Sequence, residues 1–357
     1  KGLREKYEQH HKLQITDEAL EGSYYWYPNA NVWENKQMIF NPGENTQVRI
    51  VIQQHAAPST STAMDGNVYY DYFEIKEKPT GYNGNAPQEK TEGANLRVMS
   101  YNVLVDNDES LGGWSWGQPL GSRGDKASAC IEYYQPDVIG FQECCSIQRD
   151  YILERCPEYA YVDWLIRRNE KDLKPYAAFT DPVMWDTGVL ELVGWDAFYL
   201  SETPHECSKS WDAVEPRTAL WCHFRHIPTG KEFIFINTHL DHKGKEARKK
   251  GLDVIIEKMS EINPKGLPMV TVGDFNAQYK AETLDRVKKE WKDARVEAKD
   301  SDDKYSFNGF GKSWNGTVDY IWYDGFRRCH DYKVIVRKYD RVPFISDHYP
   351  IRADLEF

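Results

Sequence analysis

The chain contains no run of about eighteen consecutive apolar residues, so nothing in it predicts a membrane-spanning helix. It also lacks a signal-peptide pattern, and it begins at Lys1 rather than at methionine. The compartment therefore stays open, with a secreted or periplasmic location slightly favoured over the cytoplasm. No internal repeat of solenoid length occurs, which excludes a repeat architecture.

The chain also lacks the cysteine spacing of a metal site, and it has no excess of basic residues. The seven cysteines include no C-x-x-C pair, so we expect buried free thiols rather than a structural zinc site or a disulfide framework. The formal net charge is −11. Proteins that hold long nucleic acids need a basic face. This charge balance therefore favours a small or lipid-like substrate over duplex DNA.

The chain has 357 residues, of which 40% are hydrophobic and 14% aromatic, enough for one large domain and a smaller appendage. We place the boundary in a stretch rich in proline, glycine and charge, between residues 1–92 and 93–357. The first region is predicted to be β-rich, from aromatic and β-branched segments at 23–28, 47–52 and 67–75. Its last segment resembles the final strand of a galactose-binding jelly-roll module, which implies a carbohydrate partner. Either that module is incomplete here, or these strands pack on the larger domain.

Strand and helix patterns alternate in the larger region. Leu96–Val103 and Val138–Phe141 predict buried strands, and apolar residues at helical spacing within 127–134 predict a helix between them. The same helical spacing recurs within 252–259 and within 284–291. This alternation predicts an α/β class in which helices cover the sheets.

Polar side chains collect where the predicted strands end. Ligands of α/β sheets bind outside strand ends, so we expect these side chains to converge on one crevice. Side chains at i and i+2 of an extended backbone point the same way, which predicts that paired residues on one strand face one side. The residues are Asn102, Glu143, Asn237, His239, Asp274, Asn276, Asp319, Asp347 and His348.

The same segments, taken in order, resemble the motif series of the endonuclease/exonuclease/phosphatase superfamily. That superfamily includes pancreatic-type DNases, abasic-site endonucleases, deadenylases, neutral sphingomyelinases and inositol-polyphosphate phosphatases. The resemblance implies a four-layer α/β sandwich, with two mixed sheets flanked by helices, and hydrolysis of a phosphate ester with Mg²⁺ or Mn²⁺. The motifs are Ser100–Asn102, Gln142–Glu143, Asn237–Leu240, Gly273–Asn276, Asp319–Ile321 and Ser346–His348.

The resemblance also implies roles for the matched residues. Glu143 would be the principal metal ligand, because carboxylate oxygens suit hard cations. Asn102 and Asp347 would lie close to the ion, as ligands or through water, and Asn102 is also a candidate substrate contact. Asp274 would activate the attacking water, and Asn276 would orient that water or the phosphate.

The remaining matched residues are expected to contact the phosphate. His348, held by Asp319 through a ring N–H, would donate to a phosphate oxygen. His239 would contact the phosphate or protonate the leaving group. Arg217 would grip the phosphate through its planar guanidinium, and Asn237 is a further candidate for substrate binding.

Substrate choice is the least specified property. Some superfamily members carry an acidic residue two positions after the first Asn, but here that position is Leu104, so a second direct acidic ligand is not expected. Asp241, His242 and Arg248 are candidates for substrate selection, and a solvated helix start is the alternative for them. We therefore expect a phosphodiesterase or phosphatase, with a nuclease and a non-catalytic binding protein on the same scaffold as alternatives.

Overall fold

The chain divides into two compact units, residues 1–78 and residues 79–357. The computed structural model describes most of the second unit and three strands of the first. The described residues are 9–17, 20–26, 49–56, 87–105, 123–164, 180–311, 315–336 and 344–357.

The three described strands of the first unit form one antiparallel sheet with β1 in its centre. The predicted strands at 23–28 and 47–52 overlap β2 and β3, whereas the charged start of the chain gave no prediction for β1. The predicted strand at 67–75 lies outside the described residues. The strands are β1 (Gln9–Asp17), β2 (Leu20–Trp26) and β3 (Arg49–Ala56).

Among its described residues, the second unit forms a seven-stranded mixed sheet with the order β13-β15-β16-β4-β5-β7-β6. Its β4 and β5 run parallel, so both end at the same edge, and β16 lies antiparallel beside β4. The strands are β4 (Leu96–Asn102), β5 (Val138–Gln142), β6 (Tyr159–Val162), β7 (Val183–Asp186), β13 (Asp300–Ser301), β15 (Arg328–Val334) and β16 (Ile351–Glu356).

The other sheet, in the part of this unit that the structure describes, has six strands in the order β12-β14-β11-β10-β9-β8. Here β10 and β11 form the parallel pair, and the other neighbours are antiparallel. The strands are β8 (Leu190–Tyr199), β9 (Thr218–His226), β10 (Glu232–His239), β11 (Met269–Asp274), β12 (Lys292–Asp293) and β14 (Asp319–Asp324).

The two sheets pack face to face. Successive residues of a strand point to opposite faces of its sheet, so each strand contributes to the core between the sheets and to a core on the outer face. Val98 of β4 and Phe235 of β10 belong to one shared core between the sheets. Met99, next to Val98, belongs instead to an outer core with the helices Arg123–Tyr134 and Ser146–Arg155. Ile236 belongs to a second outer core under the helix Lys245–Ile262. Each such side chain, fully removed from water, contributes roughly 1.5–3 kcal/mol. The predicted four-layer α/β sandwich is therefore confirmed.

The helices lie on the outer faces of the sheets. Those predicted within 127–134 and within 252–259 are confirmed, since they fall inside α1 and α3. None of the described helices combines the length and apolar character needed to span a membrane. The helices are α1 (Arg123–Tyr134), α2 (Ser146–Arg155), α3 (Lys245–Ile262), α4 (Val287–Glu290) and α5 (Ala294–Glu297).

The predicted helix within 284–291 is broken into two short pieces. A 3₁₀ turn at Glu282–Leu284 precedes the single-turn α4, and Trp291 already has an extended backbone. Leu284 and Trp291 are buried in the core under α3, as their spacing suggested. The helix nevertheless stops because the next two residues pair with β14 as the edge strand β12, so strand pairing overrides the local helical spacing.

The segment before β4 is bound to the second unit by a buried arginine. Arg97 pairs with both oxygens of Asp354, at 2.7 and 2.8 Å. The same guanidinium donates to the carbonyls of Gln88 and Glu89, at 2.7 Å each. The Thr91 N–H donates to Asp354 at 2.8 Å. Residues 88–91 are therefore part of the packed second unit, and they satisfy a guanidinium that is only 1% exposed.

All seven cysteines are free thiols, and five of them are buried. Burial raises the pKa of Cys144 well above its usual value, and the nearby Cys145 adds to this effect. A thiol in this state is a poor nucleophile, which agrees with the expectation of packed rather than reactive cysteines.

Candidate active site

The ends of neighbouring strands place the predicted polar residues side by side. Asn102 at the end of β4 pairs in register with Gln142 at the end of β5. In the other sheet, Asp274 at the end of β11 pairs with His239 on one side and with Asp319 on the other. Each pair of strands therefore brings backbone neighbours to one edge of its sheet, which forms a crevice.

Asp274 is the centre of this crevice. The amide of Asn102 donates to its Oδ2 at 3.1 Å, and the backbone N–H of Asn276 donates to its Oδ1 at 2.8 Å. The Nε2 atoms of His239 and His348 lie 3.5 and 3.6 Å from the same Oδ2. One carboxylate thus contacts four other residues that the sequence had placed at strand ends.

Close approach of β10 and β11 makes this arrangement possible. Gly273, immediately before Asp274, has φ +151°, and a Cβ atom there would lie 1.9 Å from the carbonyl oxygen of Thr238. No other residue type fits without moving one of the strands. The glycine therefore fixes the separation of His239 and Asp274.

The ionisation of Asp274 is poised near neutrality. Burial raises its pKa to about 7, the nearby charge of His348 opposes that rise, and the carboxylate of Asp319 adds to it. A general base works best when its pKa lies near the operating pH. Asp274 can therefore accept a proton at neutral pH and release it again.

His348 and Asp319 form a buried pair beside Asp274. His348 Nδ1 lies 2.8 Å from Asp319 Oδ2, and the backbone N–H of His348 donates to the Ser346 hydroxyl. Burial lowers the pKa of His348, but the carboxylates of Asp319 and Asp274 outweigh burial and raise it to about 10. The ring is therefore a cation that can offer Nε2–H to an anion.

His239 has the opposite character. Burial lowers its pKa well below the usual value, and the positive field of Arg217 adds to the effect. The side-chain amide of Asn276 donates to His239 Nε2 at 3.2 Å. The ring is therefore neutral, with its proton on Nδ1, and no described residue accepts a hydrogen bond from that buried atom. Asn276 also donates to the carbonyl of Leu240 at 3.0 Å, which fixes its orientation.

The predicted metal ligands lie together on the other side of Asn102. The amide of Asn102 donates to Glu143 at 3.3 Å, and Val105 N–H donates to the same carboxylate at 3.5 Å. Burial raises the pKa of Asp347, and the charge of Glu143 raises it further. In the described part of the chain neither acid forms an ion pair with Lys or Arg. Two neighbouring carboxylates without a cationic partner fit a hard cation such as Mg²⁺ or Mn²⁺.

A second group of potential ligands, with no residue in common with this set, lies on the Asp274 side of Asn102. Single ligand atoms of Asp274, Asp319 and His348 all lie within 4.8 Å of one another, a spacing that could hold a metal ion. All three residues are buried. The crevice therefore offers a carboxylate set on each side of Asn102.

Three of the six non-glycine residues with positive φ in the described part of the chain lie around these groups. Leu104, Glu143 and Asn276 are non-glycine residues with positive φ, at 52°, 56° and 47°. Such conformations cost about 1–3 kcal/mol each and persist where the surroundings impose them, commonly at functional sites. The strand β11 ends at Asp274, so Asn276 lies in a turn. The expectation that side chains at i and i+2 of an extended backbone point the same way therefore does not apply to Asp274 and Asn276.

Asn237 lies deeper than the crevice. Its amide nitrogen donates to the carbonyls of Phe141 and Asp181 at 2.7 and 3.0 Å, and its oxygen accepts from Gln142 at 2.7 Å. The side chain is fully buried. Gly140 permits this contact, since a Cβ there would lie 2.5 Å from the Asn237 oxygen. Asn237 therefore links the two sheets, and the substrate contact expected of it has no free donor.

Arg217 lies at the rim of the crevice, one residue before β9. Its Nη2 approaches Nδ1 of His242 at 3.4 Å, and its Nε is buried without a partner among the described residues. Its positive field lowers the pKa of His239, as described above, which places it beside the other predicted residues.

Sequence reasoning missed Asp181, a buried acid directly behind Glu143. The Glu143 N–H donates to Asp181 Oδ1 at 3.3 Å. Burial raises the pKa of Asp181 to about 7, and Arg217 opposes the rise. Asp181 precedes β7, which runs antiparallel to β5. The beginning of an antiparallel strand meets the same edge as the end of its neighbour, and this rule would have indicated Asp181.

Comparison with known proteins agrees with this geometry. The sequence profile of the Endonuclease/Exonuclease/phosphatase family matches residues 99–348. The structure of Bacteroides thetaiotaomicron mannosyl-6-phosphatase shares 30% identity, with a TM-score of 0.66, over 73% of this chain and 100% of that chain. A family protein from Bacteroides vulgatus shares 28% identity, with a TM-score of 0.65, over 73% and 98% of the two chains.

More distant structures share the fold alone. Danio rerio TDP2 in complex with a single-stranded DNA product is 17% identical, with a TM-score of 0.58, over 73% of this chain and 99% of that chain. No curated protein sequence matches the chain. The fold and the crevice define a phosphoester hydrolase of the DNase I-like α/β-sandwich class. The chain belongs to the endonuclease/exonuclease/phosphatase family.

Proposed function

We propose that the chain is a divalent-metal-dependent hydrolase of phosphate esters in which Asp274 activates the attacking water for in-line displacement. The observation that carries this proposal is the buried Asp274 carboxylate. Asn102, Asn276 and two histidines contact it, and its pKa is raised to about 7. A carboxylate with these contacts and this pKa is suited to take a proton from water.

Glu143, Asn102 and Asp347 would hold Mg²⁺ or Mn²⁺. When bound, the cation would neutralise negative charge on the phosphate oxygens. The group around His348 is the weaker candidate, because its Nδ1 is hydrogen-bonded to Asp319 and its ring is protonated. A protonated imidazole does not bind a metal ion.

The other side chains have distinct roles in this proposal. Asn276 donates both of its amide hydrogens, to His239 and to Leu240, so it orients the attacking water through its side-chain oxygen rather than the phosphate. The His348 imidazolium, held by Asp319, donates from Nε2 to a phosphate oxygen and stabilises charge that develops during displacement. His239 contacts the phosphate or the leaving group as a neutral ring. Arg217 binds a phosphate oxygen at the rim.

The substrate that we propose is a small phosphorylated molecule, with a sugar phosphate as the first compound to test. Two observations support it. The relative with 30% identity over 100% of its own length is a mannosyl-6-phosphatase, and the net charge of −11 is unfavourable for long nucleic acids. A nuclease and a non-catalytic binding protein remain the alternatives.

The test is hydrolysis of a panel of sugar phosphates, lipid phosphoesters and nucleic acids with Mg²⁺ or Mn²⁺. We expect turnover of a small ester that chelation abolishes. The Asp274→Asn substitution should lower kcat by on the order of a thousandfold with the fold retained. Asp285→Asn, an exposed acid paired with Lys288, is the matched control and should have normal turnover. Preferred cleavage of nucleic acid would support the nuclease, and no turnover of any ester would support the binding protein.

A further inference from the structure

A cluster of basic side chains borders the crevice on the side of His239. We call Arg217, His242 and Arg248 the basic cluster. Arg217 contacts His242 at 3.4 Å, and Nη1 of Arg248 donates to the carbonyl of Asp241 at 2.8 Å. The Nε atoms of both arginines are buried without a hydrogen-bond partner within the described residues. Neither guanidinium forms an ion pair with a described carboxylate.

The connections along the chain direct this cluster towards the reacting groups. Arg217 immediately precedes β9, whose first residues pair with the last residues of β10. Arg248 lies in the first turn of α3, which follows β10 after a short loop. The electrostatic effects of the cluster are consistent with this placement. Burial is the largest cause of the lowered pKa of His239, and the positive charges of Arg217 and His242 lower it further. Burial lowers the pKa of Arg248, and the carboxylates opposing it include Asp274.

Two acids fix the loops that carry the arginines. Asp241 accepts four backbone N–H groups, two from the loop before Arg217 and two from the loop before α3, at 2.6–3.1 Å. Asp212, in the first of these loops, accepts the N–H groups of Ala247 and Glu246 at the start of α3. The amides at this helix start are therefore occupied by a protein carboxylate. The guanidinium groups, rather than these amides, are left to bind an anion.

We infer that the basic cluster selects phosphate monoesters over diesters by binding the additional charge and the additional terminal oxygen of a monoester. This inference rests on the proposed function. A monoester at neutral pH carries a charge of about −1.5 to −2 on three terminal oxygens. The Nε donors of Arg217 and Arg248 have no acceptor among the described residues, so the third terminal oxygen of a monoester has donors available to it. The second ester group of a diester would leave a buried donor unpaired, which disfavours its binding.

The test compares p-nitrophenyl phosphate with bis(p-nitrophenyl) phosphate in the presence of Mn²⁺. The full chain should prefer the monoester. Arg248→Met should lower kcat/KM for the monoester by roughly 10- to 100-fold and that for the diester by less than about threefold, as expected from the loss of a charged hydrogen bond. Inhibition by inorganic phosphate should weaken by a similar factor. Arg248→Lys, which keeps the charge without the planar fork, should fall between these values.

The control is Arg225→Met, because Arg225 is paired with Glu191 and Glu232 near the opposite end of β9. This substitution should leave kcat/KM unchanged for both the monoester and the diester. Equal losses on both esters for Arg248→Met at an unchanged melting temperature would overturn the inference. A full chain that prefers the diester would also overturn it, while the proposed hydrolase function would stand. Failure to hydrolyse either ester would instead contradict the proposed function.

Discussion

Residues 88–91 precede the first strand of the hydrolase sheet, yet they complete the hydrogen bonding of a buried arginine. Two truncated proteins separate their contribution from that of the first unit. One lacks residues 1–86 and the other lacks residues 1–92, so only the second loses the carbonyls of Gln88 and Glu89. Arg97 would then keep its pair with Asp354 but lose two charged hydrogen bonds of 2.7 Å.

The magnitude follows from the burial of the guanidinium. A hydrogen bond to a charged group contributes about 1.5–3 kcal/mol, so the loss of two predicts a decrease of roughly 3–6 kcal/mol in the free energy of unfolding. The lost ion pair between Lys90 and Asp137, at 2.8 Å, adds to it. A domain is usually stable by about 5–15 kcal/mol. The shorter protein should therefore be close to its limit of stability.

Urea denaturation of the two truncated proteins, followed by tryptophan fluorescence, measures this difference. The protein without residues 1–92 should have a clearly lower midpoint or should aggregate on purification. Its counterpart without residues 1–86 should unfold in one cooperative transition. A difference below about 1 kcal/mol would contradict this prediction, because it would show that water replaces the lost carbonyls without loss of stability.

Asp241, Gly273 and Asp274 each have a contact or a pKa whose effect can be measured. Burial alone would raise the pKa of Asp241, but the four backbone N–H groups that donate to its carboxylate outweigh burial and lower the pKa to about 2. Above its unfolded pKa of about 3.9, ionised Asp241 should therefore contribute about 2–3 kcal/mol to the free energy of unfolding, and this contribution should be lost as the pH falls towards 2. Unfolding of Asp241→Asn and of the unchanged chain at several pH values measures it, and a difference that does not depend on pH would contradict it. Gly273→Ala should prevent folding or displace β10 from β11, because its Cβ would meet a carbonyl oxygen at 1.9 Å; a normal melting temperature with full activity would show that the strands can shift. The kcat/KM of hydrolysis should rise with pH through about 7 at low metal concentration, as Asp274 loses its proton; a flat profile would argue against Asp274 as the base.

Much of the site was predictable from local signals. Asn102, His239 and Asp274 end buried strands, and the parallel pairs β4–β5 and β10–β11 carry such ends to one edge. Hydrophobic runs followed by polar residues are visible without any knowledge of packing. The chain order of these segments, taken with their resemblance to a known motif series, also predicted the sandwich of two mixed sheets.

The remaining features depend on contacts between distant segments. Asp181 begins a strand rather than ending one, and only the antiparallel pairing of β5 and β7 brings it behind Glu143. Asn237 shares a strand face with His239, but it lies two residues deeper, where the opposite sheet takes up its hydrogen bonds. The helix expected within 284–291 ends early because an edge-strand pairing interrupts it. No local pattern encodes any of these contacts.

In the proposed mechanism, Glu143 binds the cation required for ester hydrolysis and Asp274 activates the water. A Mn²⁺ titration of the full chain, of Glu143→Gln and of Asp319→Asn tests this mechanism. Calorimetry measures the binding of the ion, and hydrolysis of p-nitrophenyl phosphate measures turnover. We expect Glu143→Gln to weaken Mn²⁺ binding by at least about tenfold, and Asp319→Asn to bind the ion nearly normally while losing turnover. Weaker Mn²⁺ binding in Asp319→Asn with unchanged binding in Glu143→Gln would instead place the cation at the group of Asp274, Asp319 and His348, contrary to the proposed mechanism.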